Sequence, residues 1–253
     1  MKRTLSLCLL LLAACRPVTP LPSTPPPFAC ETPGTVDYHT MPLEGGSVYV
    51  YGLYLPPCYG RDPERAYPVL YLLPGKNGSP DDWFQAGAGE AADELILHGE
   101  VPPFIIVTTQ DGTPDVTTGQ LIPFIAGKYR VSPERRLHVI AGGSMGGAYA
   151  YRIAFQHPDL FAAVGFFGSG SYPGEEDRTR AWLAAIPPVE RPRLFLNAGL
   201  GEDDYMVGRS RVMMQIAGEY GMTYAHIFTR GNHSYEYWMK AMPCFMHWMA
   251  LDW

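Results

Sequence analysis

The sequence predicts an α/β fold, with a mostly parallel central sheet and helices on both of its faces. Two observations predict it. Short apolar runs bounded by Gly and Pro alternate with longer helix-like segments through residues 47–249, the pattern of a parallel sheet covered on both sides. One strand-to-helix junction also carries a glycine-rich turn around a serine, Gly142-Gly143-Ser144-Met145-Gly146. In such sheets, sites lie at the carboxyl ends of the strands.

The elements follow in order. Residues 47–55 alternate and are rich in Val and Tyr, a strand signal. Residues 68–73 form a short apolar run ending at Pro74-Gly75, a buried strand and then a turn. Residues 89–98 read as a helix closed by Gly99, and 104–108 as a second buried strand. A helix over 121–129 is compatible with Pro123 only in its first turn. Residues 137–141 are a strand and 144–156 a helix stopped by Pro158; 161–167 and 193–197 are strands. A helix over 205–220 stops at Gly221, a strand covers 224–229, and one final helix is expected over 235–249.

Ahead of this domain, which is expected over 34–253, the chain has a different character. Met1-Lys2-Arg3 is basic, and residues 5–14 are apolar but too short to span a bilayer. That is the layout of an export signal over 1–14. Leu12-Ala13-Ala14-Cys15 resembles the lipobox of bacterial lipoproteins, which implies cleavage before Cys15 and lipid attachment to it. Residues 17–33 hold seven prolines, a semi-rigid tether over 15–33 that would hold the domain off a membrane surface.

Composition narrows the function. Hydrophobic residues make up 47% and charged residues 17% of 253, with a net charge of -6 and no basic block. The chain is globular, and nucleic-acid binding is disfavoured because phosphate contacts need a basic surface. Of five cysteines, Cys8 lies in the signal and Cys15 is the lipid site. Cys30, Cys58 and Cys244 remain, enough for one disulfide with one cysteine over. Cys30–Cys58 is the pairing expected. No Cys/His cluster suggests a metal, and no cofactor is expected.

The Ser144 motif fits Gly-x-Ser-x-Gly with a strand before it and a helix after it, the context of a nucleophile elbow. The turn is strained, so Gly142 and Gly146 are needed where side chains would clash. The bland reading is a glycine-rich turn with an N-capping Ser. A Ser hydroxyl needs a base, and on such folds the chain order is Ser, acid, His. His39, His98, His138 and His157 precede the expected acid or lie within elements. His226 lies in a strand and His247 in a helix. His233 lies in the loop after the last strand, where the base belongs. The acid is expected after residues 193–197, at Asp204 or Asp203; either of these also suits a helix cap.

The segments 55–59, 67–75, 142–147, 157–161 and 231–238 together resemble the putative-esterase family of α/β-hydrolases, which includes esterase D, feruloyl esterases, enterochelin-type esterases and mycolyltransferases. The resemblance covers nearly the whole domain. It implies the α/β-hydrolase fold and a serine carboxylic-ester hydrolase that forms an acyl-enzyme. Gly201, Asp204 and Val207 match the family's acid spacing, favouring Asp204. The resemblance also implies an oxyanion hole from the backbone N–H groups of Lys76 and Met145. Pro74 departs from the family's usual His at that place. The implied substrate is a small-molecule or glycan-linked ester outside the cytoplasm. Two alternatives stand: an envelope acyltransferase of the mycolyltransferase kind, and a catalytically dead binding domain. Residues 87–92 imitate a dinucleotide fingerprint but follow no strand. Glu175-Glu176-Asp177 reads as a solvated loop rather than a cation site. Trp83, Trp182 and Trp238 read as core, although Trp83 is also placed to line an acyl pocket.

Overall fold

In the computed structural model the described residues are 30–110, 114–201 and 204–253, the side chain of Asp204 excepted. The segments expected to be an export signal and a tether, with Cys15 as the expected lipid-attachment site, lie outside them up to residue 29.

The strands are β1 (Thr35–Pro42), β2 (Val48–Leu55), β3 (Val69–Leu73), β4 (Ile105–Thr109), β5 (His138–Gly143), β6 (Ala163–Phe167), β7 (Arg193–Gly199) and β8 (Tyr224–Thr229). Among the described residues they form one sheet in the order β1-β2-β4-β3-β5-β6-β7-β8. β1 and β2 run antiparallel; β3 to β8 are parallel to one another. Helices α1 (Asp82–Gln85), α2 (Ala88–Leu97), α3 (Ile122–Lys128), α4 (Met145–Gln156), α5 (Glu176–Ala185), α6 (Asp204–Glu219), α7 (Tyr235–Met239) and α8 (Met242–Met249) cover both faces.

The central strands are apolar throughout because both of their faces are buried. In β3, Val69, Tyr71 and Leu73 enter one core with Ile140, Phe166 and the α4 residues Tyr151 and Phe155. Leu70 and Leu72 point the other way, into a core with Trp83, Phe167, Trp238 and Phe245. This alternation is the period-two geometry of a strand. α3, α4, α5 and α6 pack on the first face, and α1, α2, α7 and α8 on the second.

Three features depart from the sequence reading. β1 is an exposed edge strand with mixed polar residues, and its pairing with β2 (Thr35 opposite Leu55) makes it a strand. The long connection before β7 contains α5. The final helix is two helices, because Pro243 has no N–H to donate and sits in the first turn of α8 after a break at Lys240-Ala241. Pro123 likewise sits in the first turn of α3, which follows a π-helical turn, Thr117–Leu121.

Cys30 and Cys58 are joined by a disulfide, with Cα atoms 5.9 Å apart. Cys244, counted as left over, is disulfide-bonded as well. No helix among the described residues is long and apolar enough to cross a membrane.

Candidate active site

Ser144 stands between β5 and α4 with φ 52° and ψ −118°. A non-glycine residue at positive φ is uncommon and costs energy that the surroundings must supply. Here they do. Ser144 N–H donates to Phe167 O at 2.8 Å, and its carbonyl accepts from Ser169 Oγ at 2.7 Å. The neighbouring glycines leave no room for alternatives: a Cβ on Gly146 would strike the carbonyls of Leu73 and Pro74, and one on Gly142 would strike the Gly146 backbone. β3, β5 and the first turn of α4 thus meet in backbone-to-backbone contact. Met145, the first residue of α4, has an N–H with no partner inside the helix.

His233 is exposed in the loop between β8 and α7. Its ring lies over Gly168, the residue that follows Phe167: a Cβ on Gly168 would stand 2.8 Å from His233 Nδ1. Ser144 and His233 are therefore brought together on adjacent residues at the end of β6. The indole of Trp238 supports the imidazole edge to face, with ring centroids 5.1 Å apart at 88°. Ser234 caps α7, accepting from Tyr237 N–H at 3.3 Å, which sets the direction in which the chain leaves His233.

The candidate acids follow β7 in the chain, and a loop leads from the end of β7 towards them. That loop is bound to the His233 loop: Leu200 N–H donates to Thr229 O at 2.8 Å and Gly201 N–H to Gly231 O at 2.7 Å. Asp204 is the first residue of α6. Its side chain, and the whole of Asp203, lie outside the described residues.

Opposite Ser144 is the loop after β3. A Cβ on Gly75 would stand 3.7 Å from Ser144 Cβ, so this loop faces Ser144 directly. It turns at Asn77 (φ 58°) and closes with Gly78 N–H to Gly75 O at 3.0 Å. The Lys76 side chain is exposed, and its N–H makes no backbone hydrogen bond among the described residues. Gly75 N–H donates to the Tyr235 hydroxyl at 3.1 Å, and that hydroxyl donates to Asp82 Oδ2 at 3.2 Å. Burial pushes the Tyr235 phenol well above its ordinary value; the Gly75 bond pulls it down and Asp82 pushes it up. Tyr235 and Asp82 were not singled out from sequence, since neither stands in a recognisable spacing with Ser144.

Trp83 is fully buried; its Nε1–H donates to Leu73 O at 3.0 Å and its ring packs on Phe167 and Tyr235. It braces the strand beneath the elbow and is core rather than pocket wall. Glu175 pairs with Arg152 at 2.8 Å, while Glu176 and Asp177 open α5. No group of acidic, His or Cys residues among the described residues suits a metal ion. Of the other histidines, His138 contacts Ser132 O and His247 lies 3.0 Å from Glu100.

Comparison with known proteins identifies the family and the fold. Residues 46–116 and 114–248 match the family described as Putative esterase. A relative in Corynebacterium glutamicum, an uncharacterised protein, is 25% identical over 263 residues, covering 86% of this chain and 60% of that protein. The endo-1,4-beta-xylanase/feruloyl esterase of Xylanibacter ruminicola is 28% identical over 193 residues, covering 68% of this chain and 26% of that protein. The chain thus spans about 60% and about a quarter of these relatives' lengths. A solved ferulic acid esterase superposes with a TM-score of 0.76 at 23% identity, covering 86% of this chain and 98% of its own. The chain belongs to the Putative esterase family and has the α/β-hydrolase fold.

Proposed function

We propose that the chain hydrolyses carboxylic esters through an acyl-enzyme on Ser144. The observation that carries this reading is the positive-φ turn at Ser144, hydrogen-bonded to Phe167, with His233 lying over the next residue, Gly168. His233 takes the Ser144 hydroxyl proton as Oγ attacks the ester carbonyl carbon. Asp204 orients the imidazole and balances its charge. The carbonyl oxygen becomes the oxyanion and is held by the N–H groups of Lys76 and Met145. The tetrahedral adduct collapses, His233 protonates the leaving alcohol, and Ser144 keeps the acyl group. Water, deprotonated by His233, then attacks the acyl carbon, and His233 returns that proton to Ser144 Oγ as the acid is released.

The substrate is an ester of a small molecule or of a glycan. Feruloyl esterases among the similar proteins make ferulate esters of sugars the first substrates to assay. The reaction is placed outside the cytoplasm, with the domain lipid-anchored at Cys15 through its proline-rich tether. The basic and apolar segment before Cys15 supports export, and the Cys30–Cys58 disulfide supports an oxidising compartment.

A fluorophosphonate probe tests the reading. Wild type is expected to label on Ser144 and lose esterase activity in parallel, and Ser144→Ala to do neither. Equal labelling of Ser144→Ala, or activity surviving in it, overturns the assignment.

A further inference from the structure

The loop facing Ser144 is anchored at both ends to one carboxylate. At its far end, Ser79 N–H donates to Asp82 Oδ2 at 3.2 Å, while the Ser79 hydroxyl contacts both Asp81 and Asp82. At its near end, Gly75 N–H reaches the same Asp82 through the hydroxyl of Tyr235, in two steps of 3.1 and 3.2 Å. Lys76 and Asn77 lie between the anchors. A Cβ on Gly78 would meet Asp82 Oδ2 at 2.6 Å, so the loop is wrapped tightly on this carboxylate.

We infer that Tyr235 is a positioning residue for the oxyanion hole: its hydroxyl ties Gly75 to Asp82 and so aims the next N–H, that of Lys76, at the carbonyl oxygen of the ester. The inference rests on the reading of Lys76 as an oxyanion donor.

The chemistry of the link leaves little choice of side chain. A backbone N–H only donates and a carboxylate only accepts. A hydroxyl serves both at once, and no apolar ring of the same shape can. The need for such a link follows from Pro74. Proline has no N–H, so the first backbone donor after β3 is that of Gly75, and it is this donor that Tyr235 takes. Tyr235 is also two residues from His233 on the turn that Ser234 caps. Its ring is packed against Trp83 and Trp238, both at centroid distances of 4.9 Å. The base and the loop tether are therefore carried by one short, braced segment.

The test is Tyr235→Phe, which removes one oxygen and keeps the ring. With p-nitrophenyl acetate, kcat is expected to fall about ten- to a hundredfold, the partial loss of a donor whose full removal costs about 10²–10³. KM is expected to change less than about threefold, because the donor acts on charge present only in the transition state. Affinity for a trifluoromethyl ketone, which forms a tetrahedral adduct on Ser144, should fall by the same factor as kcat/KM. A role in stability alone would lower the unfolding midpoint and leave kcat and the ketone affinity unchanged well below it. Should Tyr235→Phe fail to fold, Asp82→Asn, which weakens the acceptor and keeps its shape, is expected to show the same kcat-selective loss. A folded Tyr235→Phe with kcat within about twofold of wild type overturns the tether while Ser144→Ala remains inactive. Activity in Ser144→Ala overturns the underlying site reading instead.

Discussion

His233 stands so close to Gly168 that a methyl group on the glycine would lie 2.8 Å from His233 Nδ1 and 2.9 Å from Trp238 Nε1. The imidazole is seated on bare backbone, and Gly168 itself is at φ 55°. Two independent requirements thus fall on one residue: space for the imidazole, and a left-handed backbone.

Gly168→Ala is therefore expected to damage activity more than stability. Displacing the base by about 1 Å costs on the order of a hundredfold in rate. The positive φ costs a non-glycine residue about 1–2 kcal/mol. Steady-state kinetics beside thermal unfolding check both. A folded variant with wild-type kcat/KM would contradict the seating of His233.

Trp238 is expected to matter in a graded way. It is 3% exposed, and it packs on His233, Tyr235 and Trp83 while filling the space over Gly143. Trp238→Ala should lose about 3–5 kcal/mol of stability, as large-to-small changes in a core do. Trp238→Phe should keep the fold and retain more activity than the alanine variant. Chemical denaturation of the two variants separates these outcomes.

The Cys30–Cys58 disulfide closes a segment with a sequence separation of 28. Loop-closure entropy for that length corresponds to about 3–4 kcal/mol, less where the unfolded chain keeps structure. The double variant Cys30→Ser/Cys58→Ser is expected to unfold at correspondingly lower denaturant. An unchanged midpoint would show that the bridge contributes nothing to this domain.

Acid should destabilise the fold partly through His138. Burial lowers its pKa, against the opposing effect of its 2.5 Å contact with Ser132 O. Above the unfolded value of about 6.5 both states are neutral there. As pH falls through that value the unfolded chain takes up a proton that the folded state resists, so stability declines. His138→Gln is expected to flatten the fall in unfolding midpoint between about pH 6.5 and 5. An equally steep fall in the variant would place the effect elsewhere.

Much of the architecture is legible along the chain. The buried strands β3 to β6 are written as apolar runs between Gly and Pro. The turn at Ser144 is legible because everything that shapes it is local: a strand, small residues and a helix start within a few positions. β1 is not legible, because its polar alternation becomes a strand only when β2 offers its edge. The split between α7 and α8 is in principle legible from Pro243, whose missing N–H forbids an interior position.

Chain order and spacing point to Ser144 and His233 as partners, but they cannot show that both come to rest on Phe167 and Gly168. Nor can they show that Tyr235 reaches Gly75, a hydrogen bond across 160 positions of sequence. The sequence by itself determined the fold class and the elbow, since both depend on period and on local sterics. Only the tertiary structure decided which backbone His233 rests on and which side chain holds the loop opposite Ser144. Those contacts join strands and loops that pack together only once the sheet has been assembled.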